Sequence, residues 1–268
     1  MGACGPHLIT LKITMNRRQF IKSSLITLSS LTLGGLTACS PKRISEANKE
    51  GHLQPLPDIV PTGYIRPPGA VEERLFRAKC TGCGVCINVC HIMKYDAIAA
   101  TGLREGILGL GLPYIKDMRD YPCALCMECP KHCPTAALMN VEKEKVSMGM
   151  ALIDFGLCFG YNGDVCLSCS KACPLGAKVF DFYNGEWGNQ PFINEACVGC
   201  GLCVKYCPLG GSAIKVVTKA QYQTIKDAYK GEFKRLMGMS NEERYNLVYG
   251  INLPNIMSRG RIIEREYR

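Results

Sequence analysis

Sixteen of the eighteen cysteines in this 268-residue chain fall into four short runs. Cys80, Cys83, Cys86 and Cys90 follow the spacing C-x2-C-x2-C-x3-C. The same spacing recurs at Cys123, Cys126, Cys129 and Cys133, and again at Cys197, Cys200, Cys203 and Cys207. A variant, Cys158, Cys166, Cys169 and Cys173, widens the first gap to seven residues. Proline follows the last cysteine of three runs (Pro134, Pro174, Pro208), and His91 stands there in the first. Three thiols at two-residue intervals let a tight loop offer ligands to three irons of one cubane while backbone amides turn toward its sulfides. The fourth, three residues on, starts a helix and reaches a neighbouring cubane. This is the bacterial [4Fe–4S] signature, in which the fourth cysteine of each run serves the other cluster of a pair. All sixteen are expected to bind iron, holding four [4Fe–4S] clusters.

Two other uses of many cysteines fit less well. A disulfide scaffold also has an even count, but disulfides have no reason to repeat a local run of four. Structural zinc takes four thiolates, usually from two separated C-x2-C knuckles rather than from eleven consecutive residues. No catalytic group is expected. There is no H-E-x-x-H, no phosphate loop and no radical-SAM C-x3-C-x2-C, and an open iron would need a run with three cysteines. His91 and His132 abut cluster cysteines and are read as packing or hydrogen-bonding near a cube rather than ligating it. In the stretched run, Asn162 or Asp164 is the alternative ligand to Cys158.

The elements that must position these loops are short. Alternating runs at 150–155 and 178–183, with Asn184-Gly185 as a turn and Pro191-Phe192-Ile193 leading back, read as strands, as does 213–217. The fold expected is α+β: tandem bacterial-ferredoxin-like two-cluster modules with short antiparallel hairpins, cluster loops and short helices, and a C-terminal helical extension. Spacing leaves sequential pairing of the runs (first with second, third with fourth) and nested pairing both open. The long first gap, residues 91–122 with Gly102, Gly106, Gly109 and Gly111, favours nested and is read as a surface loop or partner contact. Beyond Thr218, Tyr222, Ile225, Tyr229, Phe233 and Leu236 recur at helical intervals, and Ser240 to Glu243 reads as a capping box.

The four parts expected are a leader (1–39), a linker (40–70), the cluster body (71–217) and a helical, basic extension (218–268). Asn16-Arg17-Arg18-Gln19-Phe20-Ile21-Lys22 looks like a twin-arginine export signal, followed by the uncharged segment 23–38. Leu36-Thr37-Ala38-Cys39 resembles a lipobox with Cys39 as the lipidated residue; a cleaved or an uncleaved signal is the alternative. Met15 could be the true start. Clusters are assembled in the reducing cytoplasm, so an exported cluster protein must cross already folded, which that route permits. The linker, with Pro41, Pro55, Pro57, Pro61, Pro67 and Pro68, supplies reach and no chemistry.

The formal charge of +9 would suggest nucleic acid or membrane. Residues 1–38 hold four basic and no acidic groups (Lys12, Arg17, Arg18, Lys22), so without them the balance is +5. Four oxidised cubanes with their thiolates would add about −8, which removes the motive for a nucleic-acid partner.

With these features in place the chain resembles the NapG/MauM family of exported ferredoxin-type proteins. The resemblance rests on the NRRQF leader, on Arg66-Pro67-Pro68-Gly69-Ala70 before the first run, and on the four-run order with its stretched third member, CFGYNGDVCLSCSKACP (158–174). It implies a periplasmic electron carrier that receives electrons from a membrane-bound quinol-oxidising iron–sulfur protein and passes them to a periplasmic reductase, with nitrate reductase first. The alternatives are the iron–sulfur subunit of another periplasmic oxidoreductase, such as a methylamine system, and a non-redox zinc or disulfide scaffold. Membrane association would come from a lipid anchor or an uncleaved signal.

Overall fold

Arg66 is the first residue whose burial organises the body. The computed structural model describes residues 61, 63–103, 109–209, 213–254 and 256, all within one compact unit, residues 54–268. The twin-arginine run, Cys39, most of the linker and the basic tail from 257 lie outside the described residues. No helix among the described residues is long and apolar enough to cross a membrane.

Helix α1 (Glu73–Lys79) opens on Glu72, whose carboxylate accepts from the amides of Arg74 and Leu75. Its first residue, Glu73, takes a bidentate pair from Arg66 (2.8 and 2.9 Å), while Arg66 Nη1 donates to the Pro113 carbonyl at 3.0 Å. The guanidinium also lies 5.1 Å from the Phe76 ring centre, and Phe76 is wholly buried. Burial works to raise the Glu73 carboxyl, but the Arg66 and Arg77 guanidiniums outweigh it and hold the group below 4.5. Arg66→Ala should therefore cost about 2 kcal/mol near neutral pH. Because the carboxyl is depressed in the folded state, its contribution is complete above the unfolded value and fades as pH falls through the folded one. A denaturant midpoint measured at two pH values checks both statements.

Pro67 and Pro68 behind this arginine are fully buried. Gly69 has φ +77, and a Cβ there would stand 2.1 Å from the Met139 carbonyl oxygen. Only glycine admits that approach. The contact seats Ala70 against Leu138 as an isolated antiparallel bridge. The sequence motif that carries the family resemblance is thus a structural clasp, closing the chain before the first cysteine run onto the chain after the second.

Between these ends come α2 (Val85–Ile92), the antiparallel hairpin β1 (Ile98–Ala100) and β2 (Pro113–Ile115), and the short helix α3 (Glu128–Lys131). The plan then repeats. Strand β3 (Met150–Ile153) precedes the third run; α4 (Ser168–Ala172), β4 (Phe180–Gly185), β5 (Gly188–Ile193) and α5 (Leu202–Lys205) follow; and β6 (Ile214–Val217) returns to pair antiparallel with β3, Met150 opposite Val217. Every residue of β3 is buried. Small helices and short antiparallel strands around cysteine loops make this the α+β ferredoxin type.

Two expectations are corrected. The long gap 91–122 does not carry the chain between distant partners, as nested pairing would have it. It is spent on the β1–β2 hairpin, whose loop is tied by Thr101 to the carbonyls of Gly109 and Leu112. Gly106, Ile107 and Leu108 lie outside the described residues. Asn184-Gly185 is not the turn of the second hairpin. The register pairs Gly185 with Gly188, leaving Glu186-Trp187 as the two-residue loop. The positive φ the turn needs (+93) is supplied by Gly188 instead.

Helix α6 (Lys219–Met237) starts at Thr218, whose hydroxyl accepts from the Gln221 amide. Its buried residues are Tyr222, Tyr229 and Phe233. The Tyr229 hydroxyl accepts the Ile153 amide at 3.0 Å, and its ring stacks 4.9 Å from Phe155, just before Cys158. Tyr229→Phe would leave that buried N–H without a partner, at a cost of about 1–3 kcal/mol. An urea midpoint unchanged from wild type would contradict it. Helix α7 (Asn241–Leu247) carries the Ser240–Glu243 capping box.

Candidate metal centre

Each strict run folds as a loop in which the residue before the second cysteine and the residue after it adopt left-handed backbone. These are Gly82 and Gly84 (φ +65, +76), Leu125 and Met127 (+53, +60), and Gly199 and Gly201 (+76, +84). Alternating handedness turns successive amides and thiols to one side of the loop. At Leu125 and Met127 the conformation costs about 1–2 kcal/mol per residue, a sign that cluster-loop geometry outranks local preference there. The stretched run departs. Leu167 has φ −119, and the seven-residue gap holds a 3-10 turn, Phe159–Tyr161.

Four cysteine sets result, and each draws three members from one run and the fourth from another. Site I is lined by Cys80, Cys83 and Cys86 with Cys133, along with Phe76, Pro134 and Leu138. Site II gathers Cys123, Cys126 and Cys129 with Cys90, the charge of the Cys126 thiol opposing ionisation of the other three. Site III is lined by Cys158, Cys166 and Cys169 with Cys207. Site IV is lined by Cys197, Cys200 and Cys203 with Cys173. The first run therefore exchanges its last cysteine with the second, and the third with the fourth. This sequential exchange is the second ground for setting nested pairing aside.

The electrostatics of these sets explain what they need. Burial first, then the neighbouring thiols, pushes Cys86 up to about 11, and Cys129 is raised further for the same reasons. Burial likewise raises Cys123, Cys158 and Cys169 to about 12 and Cys200 to about 11, and lifts Cys203 well above the usual thiol range. Four thiolates cannot share such a site without cationic charge at its centre. Backbone amides partly compensate. The Ala97 amide donates to Cys90 Sγ at 3.3 Å and the Leu138 amide to Cys133 Sγ at 3.4 Å, from segments seven and five residues beyond the cysteines they reach. At Cys133 burial is outweighed by the amides and by Thr135, and the thiol falls below its ordinary value.

The donor set fits a cubane. Thiols line these mostly apolar recesses, with backbone amides directed at Cys90 and Cys133 and the hydroxyls of Thr135 and Ser168 beside Cys133 and Cys166. Among the described residues, no group of three or more His, Cys, Asp or Glu side chains converges on the spacing of a single ion. Each of the sixteen cysteines named from the sequence lies in one of the four sets. Cys158 is a full member of site III. Its suggested substitute Asn162 is committed elsewhere, donating to the Cys158 carbonyl at 2.7 Å and accepting from Asn252 at 2.8 Å. Asp164 does not line the site. His91 and His132, read as packing or hydrogen-bonding near a cube, are both exposed, and His91 Nδ1 lies in hydrogen-bond contact with Asp96 Oδ1 at 2.6 Å.

One feature had no sequence signal. The Cys123 amide donates to the Cys200 carbonyl at 2.9 Å, binding the second run to the fourth. Met118 and Gly149 complete that seam, lying against Gly201 and Gly199.

The 4Fe-4S binding domain family matches the chain at residues 77–100 and at 191–210, the first and fourth runs. The methylamine utilization ferredoxin-type protein MauM of Methylorubrum extorquens is 34% identical over 167 residues, covering 58% of this chain and 73% of that protein. The ferredoxin-type protein NapG of Escherichia coli is 36% identical over 166 residues, 57% of this chain and 70% of its own length. NapG of Haemophilus influenzae aligns over 218 residues at 32% identity, covering 75% and 71%. No solved structure gives a significant match.

Proposed function

Because the chain belongs to the NapG/MauM family of ferredoxin-type proteins, we propose that it is a non-catalytic periplasmic relay holding four [4Fe–4S] clusters in two tandem modules. The observation that carries this is the regrouping of sixteen cysteines into four sets of four, each completed across a pair of runs. When bound, each cubane supplies a one-electron redox centre with no proton chemistry of its own. The chain's residues do the rest. Thiolates fix each site, Phe76, Leu138 and Ile153 exclude water, and the Ala97 and Leu138 amides neutralise sulfur charge and so favour the reduced form.

The twin-arginine run would deliver the loaded, folded chain to the periplasm, and Cys39 or an uncleaved signal would tether it there. The donor is a membrane-bound quinol-oxidising iron–sulfur protein and the recipient a periplasmic reductase, nitrate reductase in a NapG-type system. A methylamine-type system is the second reading, favoured by matches to proteins named MauM at similar identity. Anaerobic titration with dithionite tests the relay. About four electrons per chain should be taken up as the visible absorption bleaches, and an uptake near zero contradicts it. Fusing residues 1–39 to a folded reporter tests the address; export that persists without the twin-arginine translocase rules it out.

A further inference from the structure

We propose that the chain holds its four sites as one unbranched line in the order I, II, IV, III, with II and IV as the inner pair and I and III as the two ends. The inference rests on the four-cluster reading above. One electron enters at one end from a one-electron donor protein and one leaves at the other to an oxidised acceptor, so the chain is left unchanged.

Three observations set the order. Within each pair of runs a single helix spans two sites. In α2, Cys86 serves site I and Cys90 site II; in α4, Cys169 serves site III, and Cys173 at its C-terminal end serves site IV. Four residues of helix rise about 6 Å, so I adjoins II and III adjoins IV. Between the pairs, the hydrogen bond from the Cys123 amide to the Cys200 carbonyl joins a ligand of site II directly to a ligand of site IV. That bond lies in the seam where Gly201 packs on Met118 and Gly199 on Gly149. Burial separates the same inner and outer pairs without reference to contacts. Cys90, Cys123 and Cys129 of site II and Cys197, Cys200 and Cys203 of site IV are buried. At site I only Cys86 is buried and Cys83 is exposed; at site III only Cys169 is buried. Inner positions are shielded on both sides, while each end keeps an approach to solvent.

The order has a spectroscopic readout independent of any partner. A Cys83→Ala/Cys166→Ala chain should keep about half its iron, at sites II and IV, and after reduction give one spin-coupled, broadened EPR signal. A Cys126→Ala/Cys173→Ala chain should also keep about half, at sites I and III, and give two narrow, uncoupled signals. Coupling in the second variant and its absence in the first would overturn the order. The wild-type protein gives a second measurement where a variant does not load. During slow oxidative cluster loss with an alkylating reagent present, Cys83, Cys80 and Cys166 should be modified first, and Cys123 and Cys200 last. Modification of Cys123 and Cys200 at the rate of Cys83 also overturns it. A wild-type chain without iron would defeat the four-cluster reading; a loaded chain with sites I and III coupled would defeat only the order.

Discussion

Replacing Cys133 with alanine should strip the cluster from site I, whose other three ligands lie more than forty residues earlier in the chain. Cys133 lines the same recess as Cys80, Cys83 and Cys86, and its sulfur is fixed there by the Leu138 amide. Losing one thiolate of four leaves three thiols, of which only Cys86 is buried, and one iron of the cubane without its cysteine. Iron should fall from about sixteen to about twelve atoms per chain, and Cys80, Cys83 and Cys86 should become open to alkylation. Cys207→Ala is the matched control. It should expose Cys158, Cys166 and Cys169 and leave the first run protected, because Cys207 lines site III. If Cys207→Ala instead uncovers Cys80, Cys83 and Cys86, the runs are nested after all.

Gly199→Ala should be strongly destabilising, although it replaces no ligand. Gly199 has φ +76, and a Cβ on it would stand 2.5–2.6 Å from the N, C and Cα atoms of Gly149. Those are backbone atoms, held in place where the Met148 amide bonds the Val198 carbonyl at 3.1 Å, so neither side can yield. The left-handed conformation costs about 1–2 kcal/mol and the overlap about 1–3 more, directly beside Cys200. Gly84→Ala separates the two contributions. Its φ is also +76, but nothing lies within 4 Å of the added carbon, so it should carry the first cost alone. Denaturant midpoints for both variants check this. Equal losses would mean that the fourth-run loop is not pressed against residue 149.

The contrast between what spacing reveals and what it conceals follows from the range of the forces involved. Cysteine spacing is dictated locally, because a loop that wraps a cubane must do so within a few residues, so all sixteen cysteines gathered into the four sets can be read from the chain. Which run completes which site is a matter of chain closure. It is decided by the Ala70–Leu138 bridge and the β3–β6 pairing, neither of which has a cysteine. The long gap misled for a related reason: hairpin β1–β2 is only three residues on each side, too short for alternation to be visible. Asn184-Gly185 is a strong hairpin signal by itself, yet the register, which sets buried Phe180 opposite buried Ile193, carries the pairing on to Gly185 and Gly188 and so shifts the turn onward. Arg66 was noticed as part of a motif, but its buried pairing with Glu73 and Pro113 depends on partners brought together by the fold.

Aromatic residues that look like an ordinary helical stripe prove to tie α6 to the third run. Phe155, Tyr161, Tyr229 and Phe233 form a continuous cluster, with ring centres 4.7–6.5 Å apart, beside Cys158. The Asn162–Asn252 bond extends that link to the turn Val248–Asn252. Residues after the last cysteine thus support the irregular ligand loop, the one loop without the left-handed pair.

Iron and acid-labile sulfide, quantified together on protein purified without air, bear most directly on the claim that these thiols hold cubanes. About sixteen of each per chain is the expected result. Zinc in their place, or cysteines recovered as disulfides with no inorganic sulfide, would contradict it.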